Sequence, residues 1–313
     1  GTGPGAGYSL PEGGSDVHSL QQPPHDHARA PPGVPRVAGT SVPSRGAGRG
    51  AFPQRNPNQL TREKTCMEVD VYTTRFYRKW TRTSPLRRFR ATDGSSDLEI
   101  AAGCDCTETA CRLLRRARGA VEDRIGRDPH FGTSLAPLPV SGREPEPVAS
   151  MLRAGREWDV GPMAAVAGSI AGFVGRGLSG RGPVVVENGG DIYARGPGKL
   201  VVRLYAGEES PFGRVVEFCV DASGGVGVCT SSGRVGPSLS LGRADAVTVV
   251  AHNPATADAA ATALANRVAF SADVEGAVEA AVSAPSVRGA MACCGGRMAV
   301  WGLRLLAPEG GGC

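Results

Sequence analysis

The sequence lacks a hydrophobic segment long enough to cross a lipid bilayer. Its longest uncharged apolar run, from Pro162 to Val174, has 13 residues, whereas a transmembrane helix needs about 20. No stretch combines a basic start, an apolar middle and a small-residue cleavage site, as a secretory signal does. We therefore expect a protein without membrane segments that works in the cytoplasm.

Cysteine spacing does not indicate a disulfide framework or a metal site. The nine cysteines are an odd number without framework spacing, so we expect reduced thiols. Cys104, Cys106 and Cys111 cluster, but they lack paired Cys-x-x-Cys spacing and a nearby histidine, which disfavours zinc. Cys293 and Cys294 fall on a predicted strand, where successive side chains face opposite sides, so at most one of them should be buried.

Histidine is scarce. Beyond residue 66 the histidines are His130 and His252, and neither pairs in sequence with a credible nucleophile. A Ser-His-Asp or Cys-His enzyme is therefore not expected. We interpret the loop Asp128–Phe131 around His130 as a surface turn.

Charge of one sign is not in excess over most of the chain. The net charge is +5, but the first 66 residues hold seven Arg/Lys against four Asp/Glu, leaving 28 against 26 in the rest. A nearly neutral body does not indicate a global nucleic-acid field. Between Arg75 and Arg90, seven basic residues are interleaved with four aromatic ones. That mixture can bind nucleic acid, and we keep this function as a minor alternative.

Composition divides the chain near residue 66. Residues 1–66 contain 21 Gly and Pro and show no hydrophobic periodicity, so they cannot offset the entropy of ordering, and we expect a disordered tail. The sequence begins with Gly1, and the first patterned segment follows Met67, which we take as the functional start. Residues 67–313 should form a single domain.

The patterning of the second part predicts an α+β fold with largely antiparallel sheets packed by helices. Hairpins are expected at 86–102, with an Asp93-Gly94 turn, and at 289–303, with a Gly295-Gly296 turn. Further strands are predicted at 184–187, 192–194, 200–205, 215–220 and 246–251. Helices are predicted from Thr107, near Val148, and at 161–177, 255–268 and 272–282. The strands come in clusters rather than alternating with helices, which argues against a doubly wound parallel sheet.

Two segments near the middle of the chain place glycine where a ligand could approach. Gly161, Pro162, Met163 and Ala164 begin a predicted helix, whose unpaired N–H groups and dipole attract a phosphate. A second segment interrupts a strand pair with two glycines and two carboxylates: Glu187, Asn188, Gly189, Gly190 and Asp191. Asp191 could accept hydrogen bonds from a ligand, although the same residues also suit a tight turn.

Two later segments offer oxygen atoms. Cys229, Thr230, Ser231, Ser232 and Gly233 form a hydroxyl-rich loop at the end of an apolar strand, suited to phosphate oxygens. Asp258 and Thr262 lie four apart on an alanine-lined helix, so both oxygens point the same way. A carboxylate and a hydroxyl one turn apart suit Mg²⁺, which takes few protein oxygens plus ligand phosphates. The alternative is that Asp258 only interacts with the dipole of its own helix.

Together, in this order, the four segments resemble the ApbE superfamily, whose characterised members are flavin transferases that move FMN from FAD to a protein threonine. Gly161–Ala164 resembles its Gly-Ala-x-Ala helix start, 188–192 its Gly-Gly-Asp turn, and 258–262 its metal-binding Asp-x-x-x-Thr. The resemblance implies an ApbE-like fold, Mg²⁺ held by Asp258, Thr262 and the Ala164 carbonyl, and FAD or a related flavin nucleotide as ligand. It also implies an acceptor protein as partner, and a homo-oligomer is compatible with it.

From about Met67 to Pro308 the chain also resembles a compact, uncharacterised ApbE-like family of archaea and bacteria, through stretches that include residues 160–168, 186–191 and 257–262. Some relatives in that family are linked to sulfide assimilation and homocysteine formation, which makes a non-transferase component of that process, with a sulfur-assimilation protein as partner, an alternative. Two positions depart from the superfamily pattern. Ala165 stands where flavin transferases carry a lysine, and Pro237 where close relatives often have histidine.

Overall fold

The computed structural model describes residues 86–205, 215–232 and 242–306. Within these residues the strands are β1 (Arg87–Asp93), β2 (Ser96–Ala102), β3 (Val184–Asn188), β4 (Asp191–Arg195), β5 (Lys199–Tyr205), β6 (Val215–Asp221), β7 (Val226–Ser231), β8 (Ala246–Ala251), β9 (Val287–Cys294), β10 (Arg297–Trp301) and β11 (Arg304–Leu305). The α-helices are α1 (Thr107–Arg127), α2 (His130–Thr133), α3 (Val148–Trp158), α4 (Val166–Leu178), α5 (Pro254–Arg267) and α6 (Val274–Val282). Short 3₁₀ turns precede α4 and α6 at Pro162–Ala165 and Ser271–Asp273.

Two antiparallel sheets and one helical layer make up the described fold. Eight strands form the large sheet in the order β1-β2-β3-β4-β7-β8-β9-β10, and three form the small sheet in the order β11-β6-β5. The strand pairings are antiparallel in both sheets. The fold is therefore α+β, as the clustering of strands predicted.

The large sheet is covered on both faces. On one face, the helices pack through two apolar clusters, one including Met151 and Leu264 and the other Leu114 and Val174. On the other face, side chains such as Phe218 of the small sheet pack against the opposite sides of β7, β8 and β9. Burial on both faces leaves every residue of β8 buried, including Thr248, without the alternation of a half-exposed strand.

Locally encoded elements agree with the sequence predictions. The first hairpin joins Asp93 to Ser96, and its turn residue Gly94 has a φ of 52°, a left-handed conformation that suits glycine. Helix α1 begins at Thr107 and buries a stripe with helical spacing, namely Ala110, Leu114, Ala117 and Val121. The last hairpin joins Cys294 to Arg297.

Three sequence predictions are wrong. The stretch from Cys229 to Ser231 is part of central strand β7 and not a loop. Cys293 and Cys294 are both buried, because one faces the small sheet and the other the helices. Residues 130–133 form helix α2, and Phe131 belongs to the core rather than to a surface turn.

The prediction of reduced thiols is correct for six cysteines and wrong for one. Cys104, Cys106, Cys111, Cys229, Cys293 and Cys294 are free thiols. Cys219 is disulfide-bonded, against the expectation of reduced thiols throughout.

Across the three described ranges, no helix combines the length and the apolar character needed to span a membrane. The tail, Met67, Gly233, Pro237 and residues 75–85 lie outside the described residues.

Candidate functional site

Helices α4 and α5 touch closely where α4 begins. The backbone N–H of Gly168 donates a hydrogen bond of 2.8 Å to Oδ2 of Asp258. A Cβ atom at Gly168 would lie 2.3 Å from the Pro254 carbonyl oxygen and 2.9 Å from the Asp258 Cβ. Only glycine permits this contact, so Gly168 is what brings the Asp258 carboxylate to the first turn of α4.

Asp258 therefore caps α4 from another helix. The residue that precedes α4, Ala165, has no side chain to accept its first N–H groups. Asp258 accepts from the backbone of Ala167 and Gly168, which lowers its pKa. Although Asp258 keeps part of its surface exposed, protein atoms crowd its carboxylate, and this burial outweighs the hydrogen bonds and raises its pKa from 3.8 to about 7.

The β3–β4 turn reaches the same place. Gly189 and Gly190 have φ angles of 68° and 105°, a two-residue turn for which glycine is preferred. The Glu187 carboxylate accepts the Gly190 N–H at 2.8 Å, which fixes the turn. The Asn188 side-chain amide donates to the Ala167 carbonyl oxygen at 3.1 Å. The turn is thus attached to the start of α4 beside Asp258.

Asp191, the first residue of β4, is a buried carboxylate. Burial is the largest cause that raises its pKa well above the usual value, and repulsion from Asp258 is the second. The Cys229 thiol and the backbone N–H of Thr230 lower the pKa without cancelling this effect. Oδ1 of Asp191 is buried and has no hydrogen-bond partner. The charge of Asp258, on α5, therefore acts on the carboxyl group of Asp191, on β4.

Cys229 borders this carboxylate pair. Its thiol donates to the Pro254 carbonyl oxygen at 3.3 Å, and burial, followed by Asp191 and then Asp258, raises its pKa well above the usual value. A thiol that holds its proton is a poor nucleophile. Cys229 is therefore a neutral wall of the site.

The 3₁₀ turn Pro162–Ala165 packs against α5. Gly161 is buried, and a Cβ atom there would lie 1.8 Å from the Ser134 carbonyl oxygen. The close approach that this glycine permits is thus used by the chain itself. Met163 and Ala164 are half-buried, as is Thr262, one turn beyond Asp258 on α5.

The predicted hydroxyl loop is divided by the sheet. Thr230 lies on the small-sheet side, where its hydroxyl is 2.9 Å from that of Thr248, so its side chain does not face Asp258. Ser231 points to the helical side, and its hydroxyl is buried without a hydrogen-bond partner. Ser232 is half-buried, and Gly233 lies outside the described residues.

The residues present suit a hard cation better than a soft one. In the three described ranges, no group of three or more His, Cys, Asp or Glu side chains could hold a metal ion, and neither Asp191 nor Asp258 forms an ion pair there. Two carboxyl groups, one with an unpartnered oxygen, fit Mg²⁺, which takes one or two carboxylates and completes its shell with water and phosphate. They do not fit zinc, which prefers four nitrogen or sulfur ligands.

Three residues that shape the site were not identified from the sequence. Gly168 and Gly172 both press against Pro254, and their spacing of four along an apolar helix was the available signal. Cys229 was grouped with a loop, and only the position of β7 in the sheet brings it to Asp191.

The known proteins that are similar in sequence to this chain include UPF0280 proteins. A UPF0280 protein of Methanosarcina barkeri is 38% identical over 199 residues, which are 62% of this chain and 78% of that protein. A UPF0280 protein of Methanothrix thermoacetophila is 40% identical over 207 residues, 65% of this chain and 86% of that protein.

Solved structures of flavin transferases are similar to the chain at low identity. The apo flavinyl transferase ApbE of Pseudomonas stutzeri has a TM-score of 0.44 and 15% identity, covering 66% of this chain and 90% of its own. A variant of the flavin transferase ApbE of Vibrio cholerae has a TM-score of 0.45 and 12% identity, covering 70% and 97%.

The family assignment rests on a family model and on these relatives. The model described as AbpE bacteria matches residues 78–299, well over half of the chain. That range contains each of the four segments that carry the ApbE-like resemblance. The chain thus belongs to the ApbE-like family described as AbpE bacteria, together with its UPF0280 relatives.

Proposed function

We propose that this chain binds FAD or a related flavin nucleotide together with Mg²⁺ and transfers FMN to a protein threonine. The observation that carries the proposal is the pair Asp191 and Asp258: burial raises the pKa of both carboxyl groups, and the charge of Asp258 raises the pKa of Asp191 further. Within the described residues neither forms an ion pair. A buried carboxylate either takes up a proton or has its charge paired or bound to a metal, so a cation here would allow both carboxylates to ionise.

Four oxygen sources would hold Mg²⁺. The Asp258 carboxylate and the Thr262 hydroxyl lie one helical turn apart, and the 3₁₀ turn that contains Ala164 packs on the same helix. The unpartnered Oδ1 of Asp191 adds a fourth oxygen. Such a set leaves coordination positions for phosphate oxygens, as Mg²⁺ sites in nucleotide enzymes do. When bound, the cation would neutralise the pyrophosphate during transfer.

The chain's own residues position the nucleotide and the cation. The tight turn at Gly189 and Gly190 has open space around Gly190, so a ligand can approach its backbone. A cation beside Asp191 would favour its anionic form and so oppose the burial and repulsion that raise its pKa. Because Ala165 replaces a lysine, charge neutralisation depends more heavily on the cation.

The two alternatives receive no support from the described residues. Most of the basic and aromatic stretch 75–90 lies outside them, and Arg88 and Arg90 pair with Glu99 and Asp97. An ion-paired edge strand is a weaker nucleic-acid surface than its sequence suggested. No contact in the described ranges points to a sulfur-transfer partner.

A binding and turnover experiment tests the proposal. The full chain is incubated with FAD, with either Mg²⁺ or EDTA, and FAD binding is followed by flavin fluorescence. AMP release is then measured in the presence of a separate protein domain that carries an acceptor threonine. We expect FAD to bind only when Mg²⁺ is present. We also expect the amount of AMP released to equal the amount of acceptor that becomes flavinylated. No FAD binding with Mg²⁺ would reject the proposal.

Two variants make the test specific. Asp258→Asn keeps an acceptor for the Gly168 N–H but removes the charge, and we expect it to lose Mg²⁺-dependent binding at least tenfold. Asp273→Asn is the matched control, since Asp273 also accepts two backbone N–H groups, from Ala269 and Phe270, at a different helix start. Equal affinity in both variants would show that the cation site is misplaced.

A further inference from the structure

A pair of thiols lies at the start of α1, away from the carboxylate site. The Sγ atoms of Cys104 and Cys106 are 3.0 Å apart. The segment follows β2, and its Gly103 N–H donates to the Pro183 carbonyl oxygen just before β3, at 3.2 Å. The pair is thus at the Val184 end of β3, whereas the β3–β4 turn is at the opposite end. Neither cysteine is used by the proposed function.

The two thiols differ in access. Cys104 is exposed, and Cys106 is buried at the edge of the core. Cys106 is the residue immediately before α1, a helix of 21 residues, and the Arg181 guanidinium donates to its Sγ at 3.7 Å. One thiol can therefore meet a reagent from solvent while the other is placed to react second.

The backbone between them is held in place. Asp105, the intervening residue, accepts hydrogen bonds from the N–H and the hydroxyl of Thr107, at 3.0 and 2.6 Å. The bonded distance between two sulfurs is about 2.05 Å, so the thiols need to approach by only about 1 Å. No third ligand completes a metal site, since no group of three His, Cys, Asp or Glu occurs in the described ranges.

From this geometry we propose that Cys104 and Cys106 form a redox-active dithiol, which small-molecule disulfides oxidise to an intramolecular disulfide. The Cys104 thiolate attacks one sulfur of the reagent, so that a mixed disulfide forms and one small thiolate leaves. The Cys106 thiolate then attacks the Cys104 sulfur, and the second small thiolate leaves. The protons of both cysteines end on the two small thiols, and the reagent takes the two electrons.

Peptide mapping tests this on the full chain. The protein is equilibrated with oxidised glutathione under mildly alkaline conditions, because the hydrogen bond to Cys106 raises the pKa of Cys104. It is then quenched with N-ethylmaleimide and digested with trypsin. Residues 91–112 form one tryptic peptide that also contains Cys111, an internal reference. We expect most of this peptide to have lost two hydrogen atoms and to carry one maleimide, on Cys111.

Variants identify the two roles. Cys106→Ser should accumulate a glutathione adduct on Cys104, at least tenfold more than the wild-type chain does, because the second step is lost. Cys104→Ser should give neither adduct nor disulfide in this peptide. The wild-type map decides the matter even if a variant fails to fold. Three maleimides on the wild-type peptide, a lasting glutathione adduct, or a bond that involves Cys111 would each overturn the proposal.

Discussion

The burial of Asp258 makes a specific prediction for stability against pH. The folded protein raises the pKa of this group from 3.8 to about 7, so between these values the folded state binds a proton that the unfolded chain has released. Stability is then fully present below about pH 4 and falls as pH rises toward about 7. The perturbation is Asp258→Asn, which keeps an oxygen for the Gly168 N–H and removes the titration.

The magnitude follows from the two pKa values. From about pH 5 to about pH 7, an interval of about two pH units, the folded protein holds a proton on Asp258 that the unfolded chain has released. Each such unit corresponds to about 1.4 kcal/mol of stability. Between about pH 5 and about pH 8, the wild-type free energy of unfolding should therefore fall by about 2.5 kcal/mol more than that of Asp258→Asn. Removal of the charge also relieves Asp191 from repulsion, which has the same sign.

Urea unfolding at the two pH values, without divalent cations, measures this difference. Each variant is its own reference, so the titration of distant groups cancels. The control Asp273→Asn should follow the wild-type chain. If Asp258→Asn loses as much stability on alkalinisation as the wild-type chain, the Asp258 carboxylate is not held in the enclosed position that the structure gives it.

Four further outcomes are expected. Gly168→Ala should cost about 3 kcal/mol, because its Cβ would meet Pro254, whereas Gly119→Ala, in open space on α1, should add about 0.5–1 kcal/mol; both are measured by urea unfolding. Ala165→Lys should lower the free energy of unfolding by more than about 3 kcal/mol, since Ala165 is fully buried. A folded variant with a higher FAD affinity would contradict this prediction. Mg²⁺ at about 100 times its Kd should stabilise the chain by about 2.7 kcal/mol, seen as a rise in Tm that EDTA reverses. Thr230→Val should cost about 1 kcal/mol but leave FAD affinity unchanged, because its side chain faces the small sheet.

Elements with local signals were predictable from the sequence. The apolar stripe of α1, the glycine turn at Gly94 and the final hairpin each depend on residues close in sequence, and the structure agrees with all three. The α+β class followed from the clustering of strands. Boundaries within the Gly161–Gly177 prediction were not predictable, because the first turn is a 3₁₀ turn that ends at Ala165.

Elements that depend on distant contacts were not predictable. Strand β7 was taken in part for a loop because its hydroxyl residues are polar, yet Thr230 pairs with Thr248 across the sheet. Likewise, Cys293 and Cys294 are both buried because a second sheet covers the face that a simple two-layer arrangement would leave exposed. Alternation along one strand cannot reveal what covers it.

The structure gives Asp258 a contact that neither interpretation of its sequence position included. The sequence offered a metal ligand or a partner for the dipole of its own helix, and the structure instead directs Oδ2 to the first turn of a different helix, 90 residues away. A neutral asparagine could accept that N–H equally well, and it would avoid both the burial of a charge and the repulsion by Asp191. A carboxylate at this position is costly for the cap alone. Under the proposed function, a bound Mg²⁺ would offset that cost, and unfolding measured with and without Mg²⁺ tests whether it does.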